Sequence, residues 1–154
     1  MQTKYGYSTP KGVPGGKIDI SSDKVVTRCI EANDGVLKFG MGVFSGVTAG
    51  HGVALPATGK TKEDFEGVIL FEQNFEQDVN GKVVLKKGAT VGVMKSGKVW
   101  ARTASTATPD YGKKAYLIVT GADAGLFTHE QGTNVDVGAV FGQHKDDGIA
   151  IIEF

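Results

Sequence analysis

Glycine-bearing turn sequences punctuate this chain from end to end, and they constrain its fold more than any other feature. They are ANDG (32–35), AGHG (49–52), VNGK (79–82), KSGK (95–98), TPDYGK (108–113), TGADAG (120–125) and HKDDG (144–148). Glycine supplies 23 of 154 residues, roughly twice the ~7% of an average protein. Helix interiors penalise glycine, whereas turns and bulges use its access to positive φ, so a chain of this kind reverses direction often.

The runs between the turns are short, apolar and β-branched. Strands are predicted over 25–32, 36–44, 67–74, 89–95, 98–104, 114–120, 137–143 and 148–154. Alternation is visible in ATVGVMK, where Val91 and Val93 share one face while Thr90, Gly92 and Met94 share the other. No segment predicts a helix of any length, since KTKEDFEG (60–67) spans about two turns and stops at Gly67. Closely spaced strands without intervening helices predict an all-β domain, a single antiparallel β-sandwich or barrel, jelly-roll-like or related. The apolar run GIAIIEF (148–154) predicts a buried C-terminal strand that tolerates truncation poorly. MKSGKV predicts a hairpin turning at Ser96–Gly97, and TPDYGK a turn starting at Pro109.

Residues 1–17 stand apart as an extended N-terminal arm preceding a β-rich domain over 18–154. With Pro10, Pro14 and little apolar density they cannot fold alone. Two readings compete, a frayed terminus or an arm that docks on a neighbouring subunit. Tyr5 and Tyr7, aromatic anchors of the kind found at interfaces, favour docking, so Tyr5, Tyr7, Pro10, Val13 and Pro14 are candidate contacts. The arm has no apolar stretch resembling a secretory signal, and no segment approaches the ~20 apolar residues of a membrane-spanning helix.

Charge excludes some partners. Seventeen basic residues balance 17 acidic ones, interspersed rather than patched, which argues against a nucleic-acid binder. Cys29 is alone, so no internal disulfide forms; within TRCIEA it reads as a small buried residue rather than a nucleophile. His51, His129 and His144 sit in predicted loops without metal-ligand spacing. There is no GxSxG, HExxH or phosphate-binding glycine loop, and the carboxylates Glu63, Asp64, Glu66, Glu72 and Glu76 show no arrangement that chemistry demands. No catalytic residue, metal ligand, cofactor or small-molecule substrate is therefore assigned. A hydrolase built on those acids ranks last.

Trp100, the sole tryptophan, lies in KVWART between Lys98 and Arg102, all on one face of an extended strand. Such a group can stack a sugar or a base. The neutral charge and the lack of aromatic companions on that strand favour the other reading, a ring packed on the sheet or into a protein contact with the cations at its rim.

From end to end the order of landmarks resembles the structural cement, or capsid decoration, proteins of tailed bacteriophages. YGYSTPKGVPGG is followed by FGMGVFSG, GVALP, FEGVIL, VGVMKSGKVWART, TPDYGKKAYLIVT, GLFT and VGAVFGQHKDDGIAIIEF. TPDYGKK departs from the commoner TPGD form, with Asp110 one position early, which leaves the local turn type open. The resemblance implies a non-enzymatic virion protein, assembled in the bacterial cytoplasm and placed on the capsid exterior. It implies a major capsid protein as partner and a homo-oligomer, dimer or trimer. The alternative is a carbohydrate-binding β-sandwich of the phage particle, used in host recognition through Trp100.

Overall fold

A computed structural model describes residues 12–73, 77 and 79–154. Ten strands occur in it: β1 Lys24–Ile30, β2 Gly42–Ser45, β3 Gly52–Ala54, β4 Phe65–Ile69, β5 Thr90–Ser96, β6 Lys98–Arg102, β7 Lys114–Leu117, β8 Phe127–Thr128, β9 Val135–Asp146 and β10 Ile149–Glu153. The protein is all-β with two sheets. The only helical element among the described residues is the 3₁₀ turn Lys62–Asp64, within the stretch whose composition tolerates a helix.

Strands β1 to β5 close into a barrel in the order β1-β3-β2-β4-β5, and β6 to β10 form a second sheet in the order β6-β10-β9-β7-β8. One barrel pair, β1 with β3, is parallel, with Cys29 opposite Gly52 and Ile30 opposite Val53. This differs from a wholly antiparallel arrangement. Closure requires β3 of the β2–β3 hairpin to lie against β1, and β3 then runs in the direction of β1.

Three apolar layers result. Ile30, Val43, Val53, Ile69, Val91 and Val93 fill the barrel. Phe44, Val68 and Met94 point the other way and pack with Val99, Ala101, Leu117, Phe127, Phe141 and Ile152 between barrel and sheet. Trp100, Ile149 and Ile151 cover the remaining face of the second sheet. The alternation of ATVGVMK is thus realised with both faces in contact: valines into the barrel, Met94 into the interlayer core.

Sequence and structure part company at KSGK. Strand β5 pairs with β1 and β4, whereas β6 pairs with β10, so Ser96–Gly97 is no hairpin. It is the corner where the chain leaves the barrel for the sheet. Gly97 adopts φ 131° and exchanges backbone hydrogen bonds with Phe154, donating at 2.8 Å and accepting at 3.1 Å. A turn sequence reports a change of direction, not which strands pair afterwards.

Other boundaries shift for local reasons. The 36–44 run begins its strand only at Gly42, and β3 and β8, with three and two residues, are too short to show a period. The turn of TPDYGK starts at Asp110 rather than Pro109: Lys113 N–H donates to the Asp110 carbonyl at 3.2 Å, with Gly112 at φ 78°. That combination is a type II turn. His144 lies within β9, not in a loop. Cys29 is half-buried rather than buried, because it faces away from the Val26–Ile30 side of β1.

Candidate functional site

The alternation of β6 divides its side chains cleanly. Val99 and Ala101 enter the interlayer core, leaving Lys98, Trp100 and Arg102 on the outer face beside Glu153, Ile151 and Ile149 of β10. The three residues do share one face, and each has a different partner. Lys98 Nζ lies 3.5 Å from the Asp19 carboxylate, and Arg102 Nε donates to the Phe39 carbonyl at 2.7 Å. Trp100 is covered.

Its cover is the end of the arm. Gly15 N–H donates to the Trp100 carbonyl at 2.7 Å, and Trp100 N–H donates to the Gly16 carbonyl at 3.0 Å. Lys17 then forms an antiparallel bridge with Val99. Gly15 also accepts from Phe71 N–H at 2.9 Å, so one residue ties the free edge of β6 to the chain leaving the barrel strand β4. Gly12 lies on the indole so closely that a Cβ there would be 2.2 Å from two ring atoms. Further along the same edge, Arg102 N–H donates to Gly40 O at 2.8 Å and Ala104 N–H to Phe127 O at 3.0 Å. The edge of β6 is thereby paired along its length, which removes it as a template for adding another strand.

Of the candidate contacts, Val13 is 46% exposed, Pro14 is half-buried against Gly40, and Trp100 is only 9% exposed. Tyr5, Tyr7 and Pro10 lie outside the described residues. The indole therefore offers no open face for a sugar or base, and the carbohydrate reading loses the residue on which it stood.

Several polar groups had no signal in the sequence. Glu31 accepts from Val47 N–H at 2.5 Å and from Thr48 N–H at 3.1 Å, clasping the loop between β2 and β3. Those bonds, Thr48 first, hold its carboxyl below the ordinary 4.5. A Cβ at Gly46 or Gly52 would collide with the carboxylate, so the glycines that look like turn punctuation also make its seat. Glu66 is paired with Arg28 at 2.9 Å and Lys95 at 3.5 Å on the barrel wall. His129 Nδ1 accepts from Thr108 N–H at 3.0 Å, giving that histidine a scaffold role. Sequence separations of 15 or more residues hide all of these contacts except in three dimensions.

No group of three His, Cys, Asp or Glu side chains able to hold a metal ion occurs among the described residues. The described residues here form a backbone-stitched strap over an apolar sheet face.

Residues 1–154 match the model of the family described as structural cement protein (E217 gp24/Pam3 gp6). A chain of the solved structure "The capsid of Myoviridae Phage XM1" is similar in fold, with TM-score 0.73 and 16% identity, covering 99% of this chain and 97% of that one. No curated protein sequence matches the chain.

Proposed function

The chain belongs to the structural cement protein family of phage virions, and on that premise we propose that it binds the outer surface of an icosahedral capsid and stabilises contacts between major capsid subunits. The observation that carries this reading is the strap. Residues 15–17 are hydrogen-bonded to β6 and to the exit of β4, so tension on the segment before them passes into both layers of the fold. An arm attached in this way transmits load to the domain instead of fraying from it. Many such weak contacts repeated over a lattice, with the protein itself dimeric or trimeric, give retention by multivalency.

The test separates the arm from the fold. A truncation after residue 11 removes Tyr5, Tyr7 and Pro10 but keeps Gly12 on the indole and the strap bonds in place. Mixed with undecorated capsids, the truncated protein is expected to sediment with far fewer particles than the full chain while its unfolding transition is unchanged. Equal occupancy would assign attachment to the domain alone.

A further inference from the structure

Arg102 is the least comfortable cation on this surface. Its guanidinium is half-buried, and loss of hydration lowers its pKa from the ordinary value. The one side-chain hydrogen bond seen for it goes to a neutral carbonyl, Phe39 O. Among the described residues no carboxylate forms a salt bridge with it or with Lys38. A partly desolvated guanidinium without a counter-charge is left electrostatically unsatisfied.

Both cations border a single cleft. It has a volume of about 420 Å³, and Leu37, Phe39, Val83 and Leu85 line it. Leu37 and Leu85 are buried, Phe39 is 9% exposed, and Val83 stands 38% exposed at the rim. None of the described residues lining it is acidic. The cleft thus pairs an apolar wall with positive charge, in a chain whose overall charge is zero. It adjoins the strap, because Pro14 packs on Gly40, the residue after Phe39.

We propose that this cleft receives an apolar-acidic segment of the protein partner, an aliphatic or aromatic side chain on Phe39 and Val83 with a following carboxylate between Arg102 and Lys38. Guanidinium suits the role, since its planar fork takes a carboxylate in two parallel hydrogen bonds. The apolar wall selects a peptide over free phosphate, and the neutral surface gives no wider footprint for nucleic acid. The inference rests on the capsid reading and names the chemistry of the capsid side of the contact.

Zero-length carbodiimide coupling on decorated particles tests it, because this reagent joins an amine only to a carboxylate already touching it. Full-length wild-type protein is expected to yield a link from Lys38 to an Asp or Glu of the shell protein. Lys38→Glu, at an exposed position, is expected to keep the unfolding midpoint and to bind shells at least about tenfold more weakly, as like-charge juxtaposition demands. Arg102→Lys retains the charge and adds a second amine that should couple to the same partner residue. Unchanged shell binding by Lys38→Glu, or Lys38 coupling only within its own chain, overturns the cleft as a docking site. So does release from shells by inorganic phosphate at matched ionic strength, which would mark a simple anion site. Wild-type protein that fails to sediment with shells at all overturns the capsid reading itself, and the cleft's partner falls with it.

Discussion

Where Gly12 meets the Trp100 ring, a hydrogen stands in the place of a side chain, and the strap can lie flat only for that reason. Gly12→Leu is expected to lift residues 12–16 or displace the indole, costing about 1–3 kcal/mol as overpacking does. Because Trp100 is the sole tryptophan, its emission reports the event directly, and a red shift with a lower unfolding midpoint is the expected result. Emission and stability both equal to wild type would show that the strap does not press on the ring. This residue pair also marks a limit of reading the chain in order. The face shared by Lys98, Trp100 and Arg102 follows from strand periodicity, whereas the cover over the indole depends on a contact between residues 88 positions apart, Gly12 and Trp100.

Among the elements, β10 carries the most. It lies between β6 and β9, its first four residues are buried, and Phe154 beyond it closes the Gly97 corner and packs edge-on against Phe65 with ring centroids 5.7 Å apart. Removing residues 149–154 therefore deletes an inner strand together with the clamp on the layer crossing. The truncated chain is expected to lose its cooperative unfolding transition by circular dichroism, and a transition retained near the wild-type midpoint would contradict this account. At the corner itself, Gly97→Ala forces a side chain into φ 131° and brings its Cβ within 2.8 Å of Asp23 Cβ. A loss of about 1–3 kcal/mol is expected on denaturant titration, the usual cost of such strain. The buried nature of β10 is legible in GIAIIEF. The identity of the Gly97 corner is not, because a hairpin and a layer crossing ask the same conformational freedom of the same residue.

Over the whole molecule the charges are balanced, ion pairs among the described residues mostly join segments distant in sequence, and pH acts through small fixed contacts. Glu31 is lowered by Thr48 and Val47 N–H groups, Asp64 by Thr61 N–H, and Asp136 by Lys114 and Gly138 N–H. Lys114 is raised by Asp136. A lowered carboxyl contributes stability that is full above its unfolded value, 4.5 for Glu31 and 3.8 for the aspartates, and is lost as pH falls through the folded value. The raised Lys114 contributes below its ordinary 10.5 and loses that contribution as pH rises through the higher folded value. Between these limits the groups add no slope. Denaturant midpoints are expected to fall on acidification below about pH 4.5, and Glu31→Gln should flatten that fall while lowering the plateau. An acid limb of identical steepness in Glu31→Gln would remove the loop clasp as its source.

Composition, period and turn chemistry suffice to determine that this chain is all-β, glycine-turned and finished by a buried strand. These properties depend on neighbours in sequence: a pleat of period two and backbone angles that only glycine reaches. The order of landmarks likewise carries the cement family. Tertiary structure alone decided that β5 and β6 belong to different layers, that β3 runs parallel to β1, and that the arm's last residues close over Trp100. It also placed Arg102 beside an apolar cleft whose described lining residues include no acid. Each of those depends on which distant segments share a hydrogen-bonding edge or a burial site. Strand pairing is chosen by the packing of the whole chain, so no local stretch contains it.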